Sequence, residues 1–286
     1  MRGRRNLTVN AIGGLCNRMR AIAAGVNLAR LSGRELKVVW RSNADVRAGF
    51  TDLFEPLPEE IKVIEPCAGG YMLKWDIPRK RNLYVPAIYQ ASAYSKVFRE
   101  GGNLCRFYGR DEDFAKEIAE TKGDVLLISG TATGGCREED MRRLFRPSAA
   151  VRELIEEKTA GFNDKTVGVH IRRTDNAKSI EASPVELFIS EMERRIEADS
   201  EVNFFVASDD GNVMRTLAAR FGKRVMQGDE NASRTSLRGM QHGAADLWAL
   251  ATTSEILGSY YSSYTDTAAV IGNIPLKIIS TRIQEN

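Results

Sequence analysis

The second half of the chain alternates short apolar runs with longer stretches of helical periodicity. The short runs predict strands at residues 166–171, 202–207, 224–226, 255–258 and 275–280. The longer stretches predict helices at residues 148–159, 184–198, 212–221, 239–253 and 266–271. This alternation is typical of a doubly wound parallel sheet, because each parallel connection needs a crossover helix. Ser183 with Glu186 three residues later also predicts a capping box at the start of helix 184–198.

The first half begins with the same kind of unit. A strand at residues 7–12 leads into the glycine turn 13–17, then a helix that ends at Gly33 and a strand at 35–40. The turn has neither the dinucleotide-binding nor the P-loop spacing of glycines, so it is either an anion-binding turn at a helix start or simply a tight turn. Strands are also predicted at 61–64 and 125–129, among proline-rich loops with many aromatic residues. We expect two domains, residues 1–146 and 147–286.

Composition excludes several classes of protein. The net charge of +3 is too small to indicate nucleic-acid binding. The four cysteines form no CxxC pair and the chain has two histidines, which argues against a zinc site or a disulfide scaffold. Since no run of 18 apolar residues and no signal-like start occurs, we expect a cytoplasmic protein without a transmembrane segment. Peripheral contact with a membrane remains open.

The sequence VGVHIRRTD, residues 167–175, is an apolar strand that ends in charges. Successive side chains of a strand point to opposite faces, so only one of Arg172 and Arg173 can face a given pocket. An arginine there could bind a phosphate or carboxylate with two hydrogen bonds, and Asp175 could orient it or act on a substrate. The alternative is a solvated strand end with a weak surface ion pair.

Polar residues follow several predicted strands directly. They are residues 13–17, 172–175, 208–210 and 259–265. In open α/β sheets, ligands bind outside the carboxyl ends of the strands. The last three stretches should therefore share one sheet edge, and the first should lie on the matching edge of the other domain. Ser262 and Ser263 at a helix start, together with Arg172, suit a nucleoside diphosphate.

Two further residues have alternative interpretations. Asp246, on an apolar helix, could accept two hydrogen bonds from guanine or could be an ordinary surface acid. His170 could contact a ligand or could be a packed strand histidine. Neither histidine has a nearby serine or cysteine nucleophile in the sequence, so a hydrolase triad is not favoured.

Four blocks resemble the α1,6-fucosyltransferases and, more distantly, the protein O-fucosyltransferases. The blocks are VGVHIRRTD, FFVASDD, SLRG and DLWALATTSEILGSYYSS, and GGLCNRM at residues 13–19 is similar to the glycine–asparagine turn of those enzymes. The resemblance implies a GT-B fold, with two Rossmann-like domains that face a central cleft. It also implies an inverting, metal-independent transfer of fucose from GDP-fucose to a glycan or glycolipid. The second domain would bind the GDP-sugar, and the first would be the acceptor side.

The resemblance also implies roles for single residues. Arg172 would hold the β-phosphate and stabilise departing GDP, and the other donor contacts would come from Gly14, Asn17, His170, Asp209, Asp246, Ser262 and Ser263. Asp175 and Glu181 are the candidate catalytic carboxylates. The family has a lysine where this chain has Asn176, which leaves the acceptor and the base open. A transferase for another nucleotide sugar, or a non-catalytic nucleotide- or glycan-binding protein, are the alternatives.

Overall fold

The computed structural model describes residues 5–174, 177–228 and 232–282. The chain divides into two compact units, Met1–Arg146 and Pro147–Asn286. The strands are β1 (Asn6–Ala11), β2 (Glu35–Val39), β3 (Lys62–Ile64), β4 (Lys96–Arg99), β5 (Val125–Ser129), β6 (Thr166–Ile171), β7 (Asn203–Ser208), β8 (Val225–Gln227), β9 (Glu255–Ser259) and β10 (Leu276–Ile279). The helices are α1 (Leu15–Ser32), α2 (Phe50–Leu53), α3 (Ala68–Lys74), α4 (Val85–Ala93), α5 (Asp111–Glu120), α6 (Glu138–Leu144), α7 (Ala149–Thr159), α8 (Ala177–Ala182), α9 (Val185–Ala198), α10 (Gly211–Phe221), α11 (Leu237–Ala251) and α12 (Ser263–Gly272).

The first unit is built on a parallel sheet with the strand order β3-β2-β1-β5-β4. Helix α1 covers one face of it, and a Cβ on Gly25 would lie 2.6 Å from Val9 Cγ2. On the opposite face, the Asn10 side chain donates to Tyr71 Oη (3.2 Å) and to Trp75 O (2.7 Å). Because Val9 and Asn10 point to opposite faces of β1, the sheet is covered on both sides.

The second unit has a parallel sheet with the order β10-β9-β6-β7-β8, so β6 is the central strand. Val167, Val169 and Ile171 point from β6 into an apolar core that includes Phe188 of α9 and Met214 of α10. This alternation puts every second side chain of β6 in the core.

The opposite face of β6 lies against α11. A Cβ on Gly168 would lie 2.8 Å from Thr253 Oγ1 and 3.0 Å from Leu250 Cδ2, so the close approach of helix and strand requires glycine. His170 points to this same face.

The predicted α/β class, with two parallel Rossmann-like sheets, is confirmed, and the arrangement around a central cleft stays a prediction. Helix α1 ends at Gly33 with φ +63°, as expected from the sequence. The predicted capping box is wrong, because Pro184 is the residue that precedes α9. The Ser183 hydroxyl instead donates to Ile279 O (2.6 Å) and accepts from Tyr260 N (2.8 Å). Strand β4 was not predicted, because only Val97 and Phe98 of its four residues are apolar and Lys96 and Arg99 flank them.

The contact between Gly168 and α11 gives a first prediction. Gly168→Ala should lower the free energy of unfolding by about 1–3 kcal/mol, because the added methyl group overpacks the strand–helix contact. Urea unfolding measures the difference. The matched control is Gly243→Ala in α11, where an added Cβ meets no atom within 4 Å. Equal midpoints for the two variants would contradict the packing argument.

Candidate functional site

The strand order of the second unit reverses between β6 and β9, which is where open α/β sheets bind ligands. Three of the polar stretches predicted from the sequence meet at this edge. Arg172 N donates to Ser259 Oγ (3.0 Å), and Ser208 Oγ donates to Ile171 O (2.7 Å). These bonds join the ends of β6, β7 and β9.

The two adjacent arginines after β6 have different surroundings. Arg173 Nη1 donates to Ile180 O (3.3 Å) and Ser183 O (3.4 Å), which ties the loop to α8 and to the residue that follows it. Arg172 is partly buried at the switch point. Arg173 therefore has a structural part in its own unit, and the ligand-binding part of Arg172, which the family resemblance implied, stays a prediction.

Asp209 fixes the loop after β6. Its carboxylate accepts hydrogen bonds from Arg173 N (2.6 Å), Thr174 N (3.3 Å) and Thr174 Oγ1 (2.7 Å). Asp209 therefore positions the backbone that directly follows Arg172. Its direct contact with a nucleotide stays a prediction.

Helix α12 begins at the same edge of the sheet. Ser262 is buried and precedes the helix, and its hydroxyl accepts from Thr265 N. Ser263 is the first helical residue and is partly buried. The amide groups of the first turn and the helix dipole favour an anion there, and the diphosphate contact of these two serines stays a prediction.

His170 is packed between α12 and the sheet. Its Nδ1 is 2.7 Å from Thr265 Oγ1, and its ring stacks on Tyr264 with centroids 4.7 Å apart. Burial lowers the pKa of His170 from 6.5 to about 4, while the charge of Asp209 raises it and that of Arg172 lowers it. His170 is therefore neutral at physiological pH.

Asp246 is buried, so the alternative that it is an ordinary surface acid is wrong. Its Oδ1 lies 2.9 Å from Lys158 Nζ, and the two side chains are 5% and 10% exposed. A Cβ on Gly228 would lie 2.8 Å from Asp246 Oδ2, so backbone at the end of β8 approaches the carboxylate closely. Lys158 and Gly228 could not be singled out from the sequence, since they lie 88 and 18 positions from Asp246 along the chain.

Of the two candidate catalytic carboxylates, only Glu181 lies among the described residues. Asp175 and its neighbour Asn176 lie outside the described residues. Glu181 lies on α8, its side chain is 75% exposed, and its Oε2 is 3.4 Å from Arg282 Nη2. The catalytic part of either residue stays a prediction.

The glycine turn of the first unit joins β1 to α1. Gly13 has φ +79°, which favours glycine, and a Cβ on Gly14 would meet no atom within 4 Å. Asn17 is partly buried in the first turn of α1. Behind the turn the buried Arg18 donates to Gly13 O (2.8 Å) and Arg41 O (2.6 Å), and burial lowers its pKa to about 10. Arg18 was not singled out from the sequence, because it looks like an ordinary helix arginine.

A pocket of about 300 Å³ lies at the end of β5 in the first unit. Its lining residues are Tyr108, Gly109, Asp111, Thr131, Ala132 and Thr133. The hydroxyls of Ser129, Thr131 and Thr133 form a chain with separations of 3.0 and 2.8 Å. Hydroxyl groups beside a half-exposed tyrosine ring suit a small polar ligand.

The described residues contain neither a candidate metal cluster nor a membrane-spanning helix. No group of three or more His, Cys, Asp and Glu side chains there could hold a metal ion. None of the helices in this part of the chain has the length and hydropathy needed to span a bilayer.

Comparisons with known proteins give the following matches. The family model for the N- and catalytic domains of alpha-(1,6)-fucosyltransferase matches residues 139–247. The alpha-1,6-fucosyltransferase NodZ from Bradyrhizobium, soaked with GDP-fucose, is 20% identical with a TM-score of 0.63, over 94% of this chain and 92% of that chain. A mutant of Arabidopsis thaliana FUT1 in complex with GDP is 14% identical with a TM-score of 0.63, over 96% of this chain and 70% of that one. The apo form of POFUT1 is 10% identical with a TM-score of 0.58, over 98% of this chain and 99% of that chain.

No curated protein matches the sequence. The low identities of the solved structures show the fold alone. The family model over residues 139–247 confirms the resemblance to the GDP-fucose-dependent fucosyltransferases that the motifs indicated, and with it supports the predicted class of enzyme, a glycosyltransferase.

The buried His170 should make stability depend on pH. Its pKa is about 4 in the folded protein, against an ordinary value of 6.5, so the unfolded chain takes up a proton first as the pH falls. The free energy of unfolding should fall between pH 6.5 and pH 4, by up to about 3 kcal/mol from this residue. Urea unfolding at several pH values should show a shallower decline for His170→Gln than for the wild type. Parallel curves for the two proteins would refute the assignment.

Proposed function

We propose that this chain, a relative of the GDP-fucose-dependent fucosyltransferases, transfers fucose from GDP-fucose to a hydroxyl group of a glycan or glycolipid. The observation that carries the proposal is that Arg172 follows β6 and α12 begins shortly after β9, the two neighbouring strands at the switch point of the second sheet. In the same unit, α11 holds the buried carboxylate of Asp246, which Gly228 at the end of β8 approaches closely. The family model, over residues 139–247, includes Arg172 and Asp246 but not the start of α12.

The diphosphate is the part of the donor that gains charge during transfer. As the bond between the fucose anomeric carbon and the phosphate oxygen breaks, its electron pair goes to the β-phosphate of departing GDP. The Arg172 guanidinium and the amide groups at the start of α12 stabilise that charge. Because they supply positive charge and donors, we propose that the reaction needs no metal ion.

Asp246 is proposed to recognise guanine. A carboxylate can accept hydrogen bonds from two adjacent N–H groups of this base, whereas uracil offers only one N–H group. Lys158 Nζ lies 2.9 Å from Asp246 Oδ1, and this ion pair holds the buried carboxylate in place. A fixed acceptor of this kind selects for its partner, because a ligand without the second N–H leaves the carboxylate incompletely bonded. His170 and Asp209 contribute by holding the strand end and the loop around Arg172.

The acceptor hydroxyl attacks the anomeric carbon as the GDP bond breaks, which inverts the configuration at that carbon. A base takes the hydroxyl proton, and Asp175 and Glu181 are the proposed candidates. Gly14 and Asn17 are proposed to approach the donor, and the first unit is the proposed acceptor side. There the hydroxyl-lined pocket beside Tyr108 suits a sugar. The GT-B arrangement implied by the resemblance is part of this proposal.

Two alternatives have distinct signatures. A transferase for another nucleotide sugar should prefer a different nucleotide, and the choice should not depend on Asp246. A non-catalytic binding protein should bind GDP without turnover and should tolerate Asp175→Asn.

Arg172→Ala should weaken GDP binding by about 10- to 150-fold, because a charge-assisted hydrogen bond contributes about 1.5–3 kcal/mol. Fucose transfer should fall by about 10²–10³-fold if Arg172 also stabilises the transition state. Calorimetric titration of GDP with EDTA present measures the first effect. The matched control is Arg220→Ala, which removes an exposed arginine whose Nε donates to Glu193 Oε1 (3.0 Å). Unchanged GDP affinity in Arg172→Ala would refute the donor site.

Asp246→Asn should reduce discrimination between GDP and inosine diphosphate, which lacks the exocyclic amino group of guanine. The wild type should prefer GDP by about tenfold or more, and the variant should lose most of that preference. The ratio of the two affinities is the measure, because it is insensitive to a general loss of stability. The control Asp199→Asn breaks an exposed ion pair with Lys165, 2.8 Å long. A ratio that stays at the wild-type value in Asp246→Asn would exclude guanine recognition by this residue.

A further inference from the structure

One segment of the first unit concentrates positive charge. Residues 67–99 contain six lysines and arginines and one acid, Asp76. The whole chain has a net charge of +3, so the rest of it is slightly negative. Asp76 is buried and lies 3.3 Å from Arg79 Nη2, while Lys80 and Arg81 are exposed.

The same segment concentrates exposed apolar side chains. Six of the ten large hydrophobic residues found exposed among the described residues lie in it. They are Met72 and Leu73 of α3, Leu83 and Tyr84 of the following turn, and Ile88 and Tyr89 of α4. We call these six residues, with Lys80 and Arg81, the α3–α4 surface.

Helix α4 has a buried side that fixes which residues face outward. Gln90 is fully buried, and its side chain donates to Lys74 O (3.1 Å) and Asp76 O (2.9 Å) while it accepts from Arg99 Nη2 (2.6 Å). This anchoring leaves Ile88 and Tyr89 on the outer side, where they are 72% and 45% exposed.

The turn before α4 is built to present an apolar side chain. Leu83 and Tyr84 are consecutive non-glycine residues with φ of +51° and +57°, a conformation that bulky residues rarely adopt. Asn82 holds the turn by donating to Ile77 O (2.9 Å) and accepting from Arg79 N (2.8 Å). Leu83 is 81% exposed at its tip. Backbone strain at a largely exposed leucine indicates that the turn serves binding and not the stability of the fold.

We propose that the α3–α4 surface docks this protein on an anionic lipid bilayer. Leucine and isoleucine would enter the boundary between headgroups and acyl chains, the tyrosines would lie at headgroup depth, and Lys80 and Arg81 would pair with lipid phosphates. The charge decides for a membrane over a protein partner. Lys80 and Arg81 are adjacent and exposed, and Arg81 lies two residues before the exposed Leu83. Adjacent basic residues beside an apolar tip complement a uniformly negative lipid surface.

The test is sedimentation of the full chain with vesicles of phosphatidylcholine alone or mixed with phosphatidylglycerol. The wild type should bind the mixed vesicles, bind the neutral ones much more weakly, and be released by salt. The double variant Lys80→Glu with Arg81→Glu should bind at least about tenfold more weakly, since each basic residue near an anionic surface contributes about a fivefold factor. The double variant Leu83→Ser with Ile88→Ser should bind about tenfold more weakly for loss of apolar burial.

Matched controls separate this effect from general changes in charge or stability. Lys116→Glu with Lys122→Glu makes the same charge change elsewhere on the first unit, and Leu31→Ser with Leu237→Ser removes two exposed leucines outside the surface. These controls should bind vesicles as the wild type does. All variants should keep the wild-type midpoint of urea unfolding, so the vesicle result depends neither on a loss of folding nor on the proposed transfer reaction.

Three results would overturn the proposal. They are no binding of the wild type to mixed vesicles, equal binding by the surface variants and their controls, and self-association of the wild type that the surface variants abolish without any lipid binding. The last result would make the α3–α4 surface an interface between copies of the chain.

Discussion

Parallel hydrogen bonding of β6 between β7 and β9 is the constraint on which the candidate site depends. Because all three strands run in the same direction, their carboxyl ends meet at one edge, and the loops that follow them bond to one another. The register also sets the side-chain faces. Val169 and Ile171 enter the core, while His170 faces α11 and α12. A shift of one residue would exchange these faces and bury Arg172 in the apolar core.

The second unit buries several ionisable side chains. Burial of a charged group costs free energy unless the group has a partner. The carboxylate of Asp246 is buried with Lys158, and removal of either partner from such a pair leaves an uncompensated charge. His170 avoids the cost by remaining neutral, as its lowered pKa shows. These groups are fixed by packing before a ligand arrives, so binding would require little reorganisation around them.

The first unit uses buried arginines for a different purpose. Arg34 donates to Ile118 O (2.8 Å) and Gly123 O (2.7 Å), as Arg18 does to the carbonyls of its own neighbours, so both satisfy backbone oxygens in loops around the sheet. This interior contrasts with the outer side of α3 and α4, where leucine, isoleucine and tyrosine side chains stay exposed. A polar network can hold loops in place from within, whereas an exposed apolar layer gains stability only when something covers it.

The sequence by itself determined the class of fold and, to within one residue, the strand ends in the second unit, because period and turn chemistry are local properties. Strand β6 was predicted with the bounds observed, and the loops after β6, β7 and β9 could be assigned to one edge since parallel strands share an orientation. Only the tertiary structure decided what surrounds each of these residues. Ser183 looked like a helix cap but bonds β10 and the residue after β9, and Asp246 looked more like a surface acid than a ligand-binding residue but is buried against Lys158. Such partners lie far apart in the sequence, so burial and charge pairing across helices could not be inferred from local pattern.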